Sequence, residues 1–364
     1  MLKTHVKRQI LRGLKWIISL AILGYLCSGR NSRVFYVLQD HRKDWLLLAL
    51  ALGLLVIGLL GAMVRCYVLI RTMGIPLSLR EALRLGFMGY LFNFLSAGVV
   101  GEDLFKAVFL ARRHRRGRRI EALAVVLMDR MIGFYTLLLL AATGVLLSGT
   151  LQYSQPEIKY ISRAALLSTL AGTVAFGLLF VPAMTSERVI HWVGRVPLAG
   201  GMLKSLLRAF ATFRGRPWAL LQAGVISIVT QTLYVVLFFT IACGLQVDHP
   251  TFGQHFAVVP LSLVTSLLPL PGGALGAFEY AFDFLYRTIG DSNGGLLVAL
   301  GYRGLTIIVL AISVCLYATR SVEVDEALHE AEELEEASEE ENMSVLDEAA
   351  VKLAADESSA RSRQ

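Results

Sequence analysis

Two stretches of this chain each break an apolar, membrane-like region at its middle, and they resemble one another. The first reads Asn93-Phe-Leu-Ser-Ala-Gly98-Val-Val-Gly101-Glu102-Asp103, with Asp129-Arg130 following inside an apolar run. The second reads Pro269-Leu-Pro271-Gly272-Gly273-Ala-Leu-Gly276-Ala-Phe-Glu279, with Tyr302-Arg303 following inside another. Each has Gly-x-x-Gly, then an acid within three residues, then an arginine among apolar residues. The spacing from Gly to Arg is 29 residues in the first copy (101 to 130) and 27 in the second (276 to 303). Interrupted segments at matching places in two halves of a chain point to a substrate pathway near the membrane midplane.

The chain is 55% hydrophobic with a mean hydropathy of +0.60, which marks an integral membrane protein. The formal charge of +7 is unevenly spread. From Ser321 on there are 15 acids and 3 Lys/Arg, a net of −12, so the rest carries +19. That basic excess lies in loops between apolar runs, where membrane topology and anionic lipid explain it better than nucleic acid does. The organisation expected is a transmembrane domain over residues 1–320 and an acidic, disordered cytoplasmic tail over 321–364. Cys27, Cys66, Cys243 and Cys315 are scattered and imply no disulfide framework. The seven histidines are dispersed, without His-Glu-x-x-His spacing or a Walker loop, so no metal, cofactor or catalytic residue is expected. His255 reads as structural. Lys3, Lys7, Arg8, Arg12 and Lys15 precede an apolar segment without a small-residue cleavage site, which fits a retained signal-anchor helix.

Full spans are expected at about 10–28, 45–66, 120–147, 160–181, 218–243 and 294–318, each long enough for a hydrocarbon core of ~30 Å. The basic stretches near both ends of region 82–111 place both its ends in the cytoplasm. Its two arms, about 12 residues each, are too short to cross, so a re-entrant hairpin is expected. Region 252–290 is flanked by Asp248 and Asp291 and enters from outside. The fold class is therefore all-α: a polytopic membrane helix bundle with inverted repeats, about six full spans and two re-entrant broken-helix hairpins. Both termini are cytoplasmic. Within 182–217, apolar residues at helical spacing among basic ones fit either an amphipathic helix on the inner leaflet or a packed connector.

Glycines at the hairpin tips, Gly98, Gly101, Gly272, Gly273 and Gly276, permit tight backbone, and Pro271 fixes a bend. The helices expected to begin after each Gly-x-x-Gly would present positive dipole ends. A charge at the bilayer centre costs about 2.5–3.5 kcal/mol, so intramembrane ions face a cavity or a partner. Five stand out: Glu102, Asp129, Arg130, Glu279 and Arg303. The expectation is that Glu102 and Glu279 pair with Arg130 and Arg303, within or across the repeats. Adjacent Asp129 and Arg130 point about 100° apart and seek separate partners. Together these groups line a substrate pathway able to hold a phosphate-bearing head, or they only lock the hairpins. Asn93 caps broken backbone or touches ligand. Asp103 and Lys106 lie near the interface, and Asp283 with Arg287 reads as a local pair.

Asn93 to Arg112, Asp129-Arg130 and the run from Pro269 to Glu279 together resemble the lysylphosphatidylglycerol synthase transmembrane-region family, also called flippase-like integral membrane proteins. The resemblance covers roughly residues 10–320. It departs in the first hairpin, where Ser96-Ala97 replaces a proline common in the family. The resemblance implies translocation or handling of an anionic, polyprenyl or hopanoid-type lipid at the cytoplasmic membrane. The aminoacyl-transferase domain of bifunctional relatives is not expected, so no synthase chemistry is either. A partner enzyme of lipid or glycan metabolism, and a homo-oligomer, are both compatible. The alternative is a membrane scaffold or an intramembrane enzyme subunit of a lipid or glycan modification system.

Overall fold

A computed structural model describes residues 43–95, 99–113, 119–153, 155–181, 186–194, 200–267 and 274–317. All regular structure among them is helical. The α-helices are α1 (Trp45–Thr72), α2 (Leu79–Leu95), α3 (Val99–Arg113), α4 (Arg119–Ser148), α5 (Pro156–Leu179) and α6 (Glu187–Val193). They continue with α7 (Gly200–Phe213), α8 (Pro217–Leu245), α9 (Phe252–Val264), α10 (Ala277–Gly290) and α11 (Gly295–Tyr317). Five of them (α1, α4, α5, α8 and α11) contain stretches long and apolar enough to cross a membrane. They occupy five of the six expected spans; the segment 10–28 and the acidic tail lie outside the described residues.

The centre of the fold is the antiparallel pair α1 and α8, the most extensive helix contact among the described residues. Asp44 caps α1 through its carboxylate, which accepts from Leu46 N at 3.0 Å and Leu47 N at 3.2 Å. Its own backbone N–H donates to Gly244 O at 2.9 Å, tying the start of α1 to the end of α8. Small residues set the spacing. Gly58 faces the Tyr234 ring, Gly61 faces Thr230, and Gly244 faces Leu48. Helices in lipid gain little by burying apolar surface against each other, so close backbone approach supplies dispersion energy instead.

Between these helices the chain makes two hairpins. In the first, Phe92 stacks on Phe105 with centroids 5.4 Å apart, and Asn93 reaches Glu102. Contacts between residues near the end of α2 and the start of α3 require antiparallel arms. Those arms are 17 and 15 residues, longer than the expected 12 or so. Helix α3 also begins at Val99, before Gly101 rather than after it. The polar residues Asn93, Glu102 and Asp103 find partners, so the helices run through them. In the second hairpin the arms are 13 and 14 residues. Its two ends lie side by side, since Gln254 Nε2 donates to Ile289 O at 3.0 Å and Gly290 abuts Pro250.

The core divides accordingly. One apolar cluster joins α2, α3 and α7 to the Cys66–Ile70 end of α1, the start of α4 and the start of α8. The other joins α9, α10 and α11 to Ala51 and Leu55 of α1, Leu140 and Val145 of α4 and the end of α8. The hairpins thus pack at opposite ends of the same long helices. Helix α7, within 182–217, packs on α4 and buries Ala209, Phe210 and Phe213. Its Phe210 makes edge contacts with Phe176 and Phe180 of α5 at 5.5 and 5.0 Å.

Candidate functional site

The first hairpin carries a four-charge cluster. Asp103 accepts from Arg130 Nε at 2.8 Å through both carboxylate oxygens. Glu102 lies 3.4 Å from Arg130 Nη2, 2.5 Å from Lys106 Nζ, and accepts from Asn93 Nδ2 at 2.9 Å. Arg130 does pair within its own half, but its tighter partner is Asp103, not Glu102. Asp103 and Lys106 therefore belong to the cluster. A one-residue step on a helix turns about 100°, which lets Glu102 and Asp103 approach one guanidinium from two sides. Two acids and two bases leave the cluster neutral. The Arg130 side chain stays 33% exposed. Asn93 Oδ1 is buried without a hydrogen-bond partner, while its amide N–H is committed to Glu102.

The second hairpin carries a sealed pair. Glu279 is fully buried and accepts from Arg303 Nε at 2.8 Å and Nη2 at 2.5 Å. Its other oxygen accepts from Gly276 N at 2.7 Å and closes the first turn of α10. Gly276 has φ of +88°, which a side chain would strain, so glycine is needed at this turn. This helix does begin directly after the Gly-x-x-Gly. Gly98, Pro271, Gly272 and Gly273 lie outside the described residues, and Gly101 falls in the first turn of α3.

Asp129 has a partner that sequence reasoning missed. Arg65 of α1 grips it with a fork, Nε to Oδ1 at 2.7 Å and Nη2 to Oδ2 at 3.0 Å. Arg65 Nη1 also donates to Ser227 of α8 at 2.9 Å, and the Ser227 and Thr136 hydroxyls are 2.6 Å apart. Three spans are thereby joined by one buried polar network. The local pair expected between Asp283 and Arg287 is present. Arg287 bridges Asp283 at 2.8 Å, and Asp283 also accepts from Leu296 N at 3.0 Å, capping α11. His255 is fully buried, with one ring nitrogen 3.0 Å from Thr251 O and the other 2.9 Å from Tyr286 Oη, so it joins α9 to α10. Among the described residues no group of three or more His, Cys, Asp or Glu could hold a metal.

A sequence model of the lysylphosphatidylglycerol synthase TM region matches residues 14–313, which span both hairpins and every charged pair of the clusters just described. The chain belongs to the lysylphosphatidylglycerol synthase transmembrane-region family. The family thus agrees with the resemblance carried by the Asn93–Arg112, Asp129-Arg130 and Pro269–Glu279 motifs. No curated protein and no solved structure matches the chain. For this member of the synthase TM-region family, the apolar helices and the family together place it as a multi-pass membrane protein related to lipid handling.

Proposed function

We propose that this protein binds the polar head of a lipid between two re-entrant hairpins. On this reading it moves or otherwise handles an anionic, polyprenyl or hopanoid-type lipid across the cytoplasmic membrane, with both termini cytoplasmic. The chain itself catalyses no covalent change. The observation that carries the reading is the carboxylate–arginine pairing at each hairpin tip, one pair partly open and one sealed.

Depth supports it. Arg130 lies 11 residues into α4, or about 17 Å of helix, and Arg303 lies 8 residues into α11, or about 12 Å. With each helix start taken as the edge of a ~30 Å hydrocarbon core, these depths would bring both near its middle. An inverted repeat also has support. The starts of α1 and α8 are 172 residues apart (45 to 217), those of α2 and α9 are 173 apart (79 to 252), and Arg130 and Arg303 are 173 apart. Capping boxes open both hairpins at that same interval, Ser78 with Glu81 and Thr251 with Gln254. Helix contacts follow the exchange as well: α4 packs on α9, and α11 packs on α2.

The test is reconstitution in liposomes with a panel of labelled lipids: an anionic glycerophospholipid, a polyprenyl phosphate and a neutral hopanoid. Wild type should accelerate transbilayer movement of at least one. Arg130→Ala should reduce that movement while the protein still folds, and Glu279→Gln should reduce it in the fraction that remains folded at the assay temperature. Movement no faster than in protein-free vesicles for every lipid refutes the proposal. Covalent alteration of a lipid would favour the enzyme-subunit alternative.

A further inference from the structure

We infer that Arg65 is a positioning residue: with Asp129 it forms a clamp that sets the rotation of α4 and so aims Arg130 at the first hairpin. The inference rests on the proposed role of Arg130. It starts from a face of α4 on which Asp129, Gly133 and Thr136 recur at helical spacing. All three meet the Arg65 network. Asp129 takes the fork at 2.7 and 3.0 Å. A Cβ at Gly133 would stand 2.8 Å from Arg65 Nη1 and 3.2 Å from Nη2, so the guanidinium lies against bare backbone there. Thr136 Oγ1 meets Ser227, which itself holds Arg65 Nη1. Arg65 is 8% exposed and Asp129 7%.

Arg130 is the next residue along α4, about 100° around it. With the 129/133/136 face held against α1 and α8, Arg130 is turned to α3, where it meets Asp103 and Glu102. An Arg–carboxylate fork fixes direction as well as distance, because both N–H···O bonds must stay aligned. An apolar pair of similar size would hold the same helices together about as well, since a desolvated ion pair adds little net stability. Orientation is what the fork adds.

The test is a double-mutant cycle between the clamp and Arg130, read in two ways. The clamp is removed by Arg65→Leu/Asp129→Leu. The first readout is thermal stability in detergent, which needs no lipid. Arg130→Ala should lower the melting temperature of the wild type and leave that of the clamp-less variant nearly unchanged. Removing Arg65 and Asp129 together removes both the repulsion and the attraction that Arg130 feels from that pair, so the two direct charge effects largely offset and the loss of coupling reports the clamp. The second readout is lipid movement, which should fall about tenfold or more in the clamp-less variant and no further on adding Arg130→Ala, as expected when a binding group is displaced by about 1 Å.

If Arg130→Ala moves lipid as well as wild type, the proposed function fails, and the stability cycle still judges the clamp. If Arg130→Ala is inactive while the clamp-less protein moves lipid at the wild-type rate, the clamp fails and the function stands. Additive melting shifts also overturn the clamp. Should the double Leu variant not fold, Gly133→Ala and Arg65→Lys replace it. The first pushes the fork aside, and the second keeps a charge without the fork. Both should show the same loss of coupling to Arg130, and full additivity in both refutes the inference.

Discussion

Gly144 of α4 sits where α9 crosses it, and any side chain there should cost stability. A Cβ added at Gly144 would lie 2.1 Å from both C and O of Phe256 and 2.3 Å from Ala257 N. Ordinary contact begins near 3.4 Å, so the overlap is 3.4 − 2.1 = 1.3 Å against backbone, which no rotamer change relieves. Phe256 O is also the carbonyl that Pro260 of α9 leaves without an intrahelical donor, since proline has no N–H to return four residues back. Gly144 packs on that freed carbonyl. Overpacking of this kind costs about 1–3 kcal/mol, and backbone-on-backbone overlap belongs to the upper part of that range. Replacing Gly by Ala inside a helix returns about 0.5–1 kcal/mol. Gly144→Ala should therefore destabilise by about 1–2 kcal/mol net, lowering the melting temperature by about 1–3 °C for a chain of 364 residues. The control is Gly177→Ala in α5, where nothing lies within 4 Å, and it should be neutral or slightly stabilising. Both are measured as loss of the monodisperse gel-filtration peak after heating in detergent. If Gly144→Ala melts no lower than Gly177→Ala, the α4–α9 crossing is not this close and the reasoning fails.

Glu279→Gln keeps an acceptor for Gly276 N but leaves Arg303 beside a neutral amide in a fully buried site. Breaking such a pair should destabilise by about 3–5 kcal/mol, while Glu279→Leu/Arg303→Leu should recover much of the loss. Melting curves of the two variants decide it, and a single variant as stable as wild type would contradict the buried pair. Asp283→Ala removes the cap on Leu296 N as well as the bridge to Arg287, and should cost about 1–2 kcal/mol. Asp283→Asn retains an acceptor and should cost less. Arg287→Ala, at a side chain 40% exposed, should shift stability by under ~1 kcal/mol. Equal losses in Asp283→Ala and Arg287→Ala would show that the bridge, not the cap, holds the start of α11.

Much of the helical layout was legible because its causes are local. Long apolar runs gave α1, α4, α5, α8 and α11, and α9 and α10 are too short to cross a bilayer. The pair Glu279–Arg303 is the within-repeat one of the two arrangements that the intramembrane charges left open. What escaped was the far partner of Asp129. The span expected at 45–66 ends just past Arg65, and Arg65 is not among the charges that stand out in the sequence. The helix instead continues through Tyr67, Val68, Leu69 and Ile70 to Thr72 and carries Arg65 seven residues inside. That is about 10 Å of helix. A charge so placed needs a partner. The five charges singled out from sequence already hinted at it. Glu102, Asp129 and Glu279 against Arg130 and Arg303 leave one acid over. Lys106 and Asp103 enter together and cancel, so only one more cation from another segment balances the account. Arg65 supplies it, 64 residues from Asp129 in the chain. Charge neutrality across the buried set, applied before assigning pairs, would have asked for a basic residue near a span end. Arg65 was such a residue, beside Cys66 on a run that stayed apolar for one more turn.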